Sequence, residues 1–152
     1  MPRPHGKDHL ATRSYSTDYA GWAEDTAQAI QEGRWGEIDR TALADEVESL
    51  SKRVYWQFMI RLEVLLAHLL KDRYQPEKTG RSWQLTIQEQ RRAIEKLLAE
   101  NPSLGGRLSE SAFDAYEMSR FAAARETGLE LASFPEGNPF TSKEIWGEEA
   151  SS

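Results

Sequence analysis

The chain has 152 residues, with nineteen Lys and Arg against twenty-five Asp and Glu, a formal charge of −6 and no cysteine. That composition excludes a collagen repeat, a low-complexity tract, a disulfide scaffold and any thiolate zinc site. No apolar run is longer than Val64–Ala67, far short of the roughly 20 residues that span a bilayer. No secretory pattern opens the sequence, so a soluble cytoplasmic protein is expected.

Residues 1–15 hold two prolines, a glycine and few apolar side chains, and read as a flexible N-terminal tail ahead of a single helical domain, 16–152. His5 and His9 stand four apart there, but Pro4 and Gly6 oppose the helix such a metal pair would need. The first helix is expected after an N-cap at Ser16 or Thr17, with Tyr19, Trp22, Ala23, Thr26 and Ile30 on its inner face. Gly33 is its stop signal.

Asp39 is placed to cap a second helix running from Arg40 to Tyr74. Leu43, Val47, Leu50, Val54, Phe58, Leu62, Leu65 and Leu69 follow one another at steps of three and four, and no Gly or Pro intervenes before Pro76. Such a helix would be about 52 Å long, against a radius of gyration of about 15 Å for a compact domain of this size. It is therefore expected to kink, break or project into a dimer. Ser49 and Ser51 mark the weak point, because their hydroxyls can bond back to the preceding turn.

A loop over 74–81 leads to a third helix from near Ser82, with Trp83, Ile87, Ile94, Leu97 and Leu98 on one side. Asn101-Pro102 ends it. Ser103 is expected to cap a fourth helix reaching Thr127 before Gly128, with Leu104, Leu108, Ala112, Ala115, Tyr116, Ala122 and Ala123 inward. Gly105 and Gly106 weaken its first turn. Beyond it the tail is mostly irregular. Phe134 and Phe140 serve as apolar anchors, and Thr141 with Glu144 has capping-box spacing before a short helix. The expected fold is all-α, a bundle of about four helices with a long, kinked second helix and an irregular C-terminal tail.

No nucleotide-binding, metalloprotease or nucleophile motif is present. Asp45, Glu46 and Glu48 cluster on the second helix, but the Glu-x-x-His pairs of a di-metal bundle are missing. Neither a catalytic residue nor a metal site nor a cofactor is called. His68 lies among Leu65, Leu66, Leu69 and Leu70, either a satisfied core histidine or a base oriented by Glu46 or Glu48. Residues 71–92 carry six basic and three acidic side chains, a net +3, so the rest of the chain stands at −9. This basic window either receives an anion or pairs with neighbouring acidic helices. Tyr55 and Trp56 fall away from the Leu43–Val54 face and form a candidate interface.

The words Leu43-Ala-Asp-Glu-Val-Glu-Ser-Leu50, Leu65-Leu-Ala-His-Leu-Leu-Lys71, Tyr74-Gln-Pro76, Arg81-Ser-Trp83, Thr86-Ile87 with Gln90-Arg91, and Ala124-Arg-Glu-Thr-Gly-Leu129 with Phe134-Pro-Glu136 together resemble the bacterial domain of unknown function 29 family. The similarity runs from about Tyr15 to Thr141. Two features depart from the family: Ser51 stands where it tends to have Gly, and Gly105-Gly106 is unusual. The resemblance implies a small all-helical bacterial protein and carries over no activity, cofactor or catalytic residue. Its polar matches His68, Lys71, Tyr74, Gln75, Arg81 and Gln90 bracket the loop between the second and third helices, inside or beside the basic window.

Three readings follow. The first is a non-enzymatic helical protein that binds another macromolecule, as a homodimer in one version. The second is a small-molecule pocket or enzyme around His68, Tyr74 and Arg81. The third is nucleic-acid association through the basic window, ranked last because the body is acidic. The candidate binding surface comprises His68, Lys71, Arg73, Tyr74, Arg81, Trp83 and Arg91.

Overall fold

The computed structural model of the chain describes residues 13–147. Among these there are five α-helices and no strand: α1 (Tyr19–Gln31), α2 (Arg40–Tyr74), α3 (Arg81–Glu100), α4 (Leu108–Thr127) and α5 (Ser142–Trp146). Short 3-10 turns stand at Trp35–Glu37, Pro76–Lys78, Pro102–Arg107 and Leu131–Ser133. The chain divides into two compact units between Ser51 and Lys52, within α2. The expected pair His5 and His9 lies outside the described residues, as does most of the expected tail.

The first unit contains α1 and the opening turns of α2. Asp18, not Ser16 or Thr17, is the N-cap: its carboxylate accepts the Gly21 N–H at 2.9 Å. Asp has a short acceptor at the right reach, and it is the last non-helical residue. The helix closes as a Schellman motif, with Gly33 at φ 71° and the Arg34 N–H returning to the Ala29 carbonyl. Trp22, Thr26 and Ala29 are buried, whereas Tyr19 and Ile30, expected inside, are exposed. Arg13 and Tyr15 are held. Arg13 binds Asp25 through its backbone and side chain and thereby keeps that carboxyl below its ordinary value. The Tyr15 ring meets Trp22 edge-on at 4.5 Å. Asp39 caps α2 by accepting the Ala42 N–H.

α2 is helical over the full expected span. Both serines bond back, Ser49 to the Asp45 carbonyl and Ser51 to that of Glu48, and the division between the units falls directly after them. The apolar stripe changes character at the same place. Phe58, Leu62 and Leu65 are fully buried in the second unit, while Val47 and Leu50 in the first are 57 % and 53 % exposed.

In the second unit, Phe58, Leu62, Leu65, Leu66 and Leu70 of α2 share one cluster with Ile87 and Ile94 of α3 and with Ala112, Ala115, Tyr116 and Ala123 of α4. Small residues on α4 let its backbone come close to α2, so that the Ser119 hydroxyl reaches both the Ala115 carbonyl at 2.8 Å and the Glu63 carbonyl of α2 at 3.0 Å. The fourth helix begins later than expected. Ser103 does not start it, and the chain runs in a 3-10 turn through Gly105 and Gly106 until Leu108, as two adjacent poor helix formers would dictate. Gly128, at φ 75°, ends it. Phe134 and Phe140 are buried as anchors, and Thr141 with Glu144 forms the reciprocal capping box of α5.

Phe134→Ala is expected to cost about 3–5 kcal/mol in urea unfolding. Phe113→Ala, at a site 77 % exposed on α4, should stay within about 0.5 kcal/mol of the parent.

Candidate functional site

The basic window gathers around the junction of α2 with α3. Lys71, in the last turn of α2, is only 7 % exposed. Burying an ammonium is costly unless a partner compensates. Glu126 of α4 accepts its Nζ at 2.8 Å, and the same nitrogen lies 4.6 Å from the centre of the Trp83 ring of α3. One side chain thus ties three helices together.

Arg73 pairs with Glu144 of α5 and stacks 4.5 Å over Phe140. The Glu144 carboxyl is held below its ordinary value, first by the Thr141 N–H of the capping box and then by Arg73. Arg91 donates from Nε to the Ile145 carbonyl at 3.1 Å and from Nη2 to the Glu144 carbonyl, so a cation from α3 closes α5. Burial pulls the Arg91 guanidinium below its ordinary value. The Tyr74 ring sits edge-on to Phe134 at 5.7 Å. Asp72 latches the intervening loop by accepting Thr79 Oγ1 at 2.8 Å and Gln84 Nε2 at 3.0 Å. Lys78, Arg81 and Arg92 are exposed.

His68 is half-buried, with Nδ1 2.9 Å from the Val64 carbonyl of its own helix. A carbonyl only accepts, so Nδ1 carries the proton there. The nitrogen that an orienting carboxylate would hold is therefore taken by the backbone. Glu46 meanwhile accepts the hydroxyls of Tyr15, at 3.2 Å, and Tyr19, within the first unit. Among the described residues no group of three or more metal-ligating side chains is present.

The expected interface pair separates. Tyr55 is half-buried 6.5 Å from Phe58, with the Arg107 guanidinium 5.5 Å over its ring. Its position three residues before the fully buried Phe58 turns it toward the core, contrary to the expectation that it faces away. Trp56 is 68 % exposed. One turn on, Ile60 opens into a groove of about 490 Å³ between α2 and α3, lined by Gln57, Ile60, Arg61 and Val64 and by Gln90, Ala93, Lys96, Leu97 and Glu100. Sequence reasoning missed this groove, although Trp56, Ile60 and Val64 form a second apolar row at steps of four, offset from the main stripe.

A small all-α protein emerges, in which Lys71, Arg73 and Arg91 join helices near the α2–α3 junction and whose second unit offers an open groove. Residues 14–149 match the family described as Domain of unknown function DUF29, nearly the whole chain, and the protein belongs to that family. No curated protein and no solved structure matches it. No described helix is long and apolar enough to cross a membrane.

Lys71→Ala should lower stability by about 1.5–3 kcal/mol, the worth of a charged hydrogen bond, whereas Arg81→Ala at the exposed start of α3 should fall within about 0.5 kcal/mol; urea titration separates the two. Glu63 gives a pH test. Burial raises its folded carboxyl above the ordinary value. Between the unfolded and folded values the folded chain holds a proton that the unfolded chain releases, so this group makes stability fall as pH rises through that window. Glu63→Gln should therefore raise Tm at pH 7, with the gain vanishing below pH about 4.

Proposed function

We propose that the protein is a non-enzymatic, cytoplasmic helical interaction protein of bacteria, and that the α2–α3 groove of its second unit receives a helix from a macromolecular partner. The carrying observation is Trp56, exposed one turn from the exposed Ile60 at the groove. An indole left in water one helical turn from a groove residue is the kind of side chain that concentrates binding energy in an interface. Ile60, Val64, Ala93 and Leu97 supply the apolar floor, and Arg61, Lys96 and Glu100 the polar rim. A groove between two packed helices suits an amphipathic helix presenting anchors about one turn apart.

Nucleic acid is left out of this reading because Lys71, Arg73 and Arg91 are committed to Glu126, Glu144 and the carbonyls of α5. Phosphate would have to compete with partners already in place. The pocket reading around His68, Tyr74 and Arg81 gains no support from the geometry, since His68 binds its own helix and Tyr74 packs on Phe134.

The test is site-specific photo-crosslinking in living cells. A photo-crosslinking residue at Gln57 should yield a discrete adduct, and one at the exposed Gln88 of α3 should not. Adding Trp56→Ala should remove most of the Gln57 adduct while circular dichroism and Tm stay unchanged. Equal, diffuse labelling at both positions overturns the reading.

A further inference from the structure

We infer that α5 is an acid-released clasp: the one carboxylate of Glu144 holds both the helical form of α5 and its docking, so protonating it frees residues 140–146 while the helices beneath stay folded. Five residues are too few to be helical alone in water, so α5 is helical only while it is docked. Folding and docking of this segment are therefore one event. Three side chains make the apolar part of the docking. Phe140 and Ile145 are buried, and the Trp146 ring lies stacked over that of Phe58 at 6.2 Å.

The polar contacts meet at Glu144. Its carboxylate accepts the Thr141 N–H at 2.7 Å, which closes the capping box, and it accepts Nη2 of Arg73 from α2. One group thus serves the first turn of α5 and the tie to α2 together. Arg91 of α3 holds the same stretch by its backbone, through the Glu144 and Ile145 carbonyls. Arg73 and Arg91 are guanidiniums that stay charged throughout the acid range, and Lys143 stands on α5 itself. Protonation removes the charge that strengthens both bonds of the Glu144 carboxylate and takes from Arg73 its ion pair. The Thr141 N–H first, and Arg73 with it, hold the carboxyl below its ordinary value. Its contribution is complete above the ordinary value and is lost as pH falls through the lowered one.

The stretch just before the clasp is held differently. The Tyr116 hydroxyl donates to the Pro135 carbonyl at 2.6 Å, and Arg120 donates to the Leu131 and Phe134 carbonyls. Neither a phenol nor a guanidinium changes charge in acid, so this anchor keeps its hold. Release therefore stops at the exposed Glu136 and Gly137.

Hydrogen exchange on the full-length chain reads the clasp. The Ile145 and Gly147 amides bond the Thr141 and Lys143 carbonyls, and both bonds break when α5 opens. Corrected for the intrinsic effect of pH on exchange, their protection should fall about tenfold or more between pH about 6 and about 3, the combined worth of a cap and an exposed ion pair. Amides in the middle of α2 should stay protected at the lower pH. Glu144→Gln should lower the protection of Ile145 and Gly147 by a similar factor near neutral pH and abolish their fall in acid. Glu136→Gln, at an exposed carboxylate eight residues earlier, should keep the parent profile. In a chain labelled with 5-fluorotryptophan, the Trp146 fluorine resonance should move toward that of a free indole over the same pH range. Protection of Ile145 and Gly147 that is flat with pH overturns the inference. So does protection lost only together with that of the α2 amides, or a Glu144→Gln profile equal to the parent's.

Discussion

The second unit depends on one constraint, the need to cover the C-terminal half of α2. Phe58, Leu62, Leu65, Leu66 and Leu70 are all fully buried. At 100° per residue, Leu65 to Leu70 fan across about 140° of the helix surface. A single neighbouring helix covers a narrower stripe than that. Hence α3, α4 and the segment carrying Phe134 and Phe140 all contribute to one cluster around it. Small residues along α4 follow from the same demand, since a close approach of two backbones leaves no room for long side chains, and Ser119 uses that proximity to bond the Glu63 carbonyl.

Cations finish what the apolar cluster begins. Lys71, Arg73, Arg91 and Arg120 each bridge elements distant in sequence: Lys71 reaches Glu126, Arg73 reaches Glu144, Arg91 reaches the α5 carbonyls, and Arg120 reaches the carbonyls of Leu131 and Phe134. Guanidinium groups suit this work because several donors leave one rigid plane and can satisfy carbonyls that have no helical partner. Within the net +3 of residues 71–92, Lys71 and Arg73 are the positive halves of internal ion pairs and Arg91 binds carbonyls, while Lys78, Arg81 and Arg92 are exposed. The position of Lys71, Arg73 and Arg91 in an otherwise acidic chain has a structural cause.

The surface left over is what carries the functional reading. Trp56 and Ile60 lie off the stripe that makes the core, and both are exposed, Ile60 in the lining of the α2–α3 groove. Val47 and Leu50 continue the core stripe into the first unit yet lie in solvent.

By itself the sequence determined the helices and most of their ends. The unbroken three-and-four spacing from Leu43 to Leu69 required a long α2, Gly33 and Gly128 supplied left-handed stops, and Thr141 with Glu144 supplied a cap. These are local matters, settled by backbone preference and by side chains within one turn. The exceptions are local too: the cap moved to Asp18 and α4 started at Leu108, where several competent residues compete within a few positions. Only the tertiary structure decided which parts of a stripe are covered. Periodicity places Val47 and Phe58 on related faces, but whether a neighbour lies opposite depends on residues far away in sequence. The burial of Lys71 required Glu126 at its end and Trp83 at its side, and the turning of Tyr55 inward required Phe58 to be in the core. A spacing rule sees one helix at a time, whereas burial and charge pairing are properties of two or more.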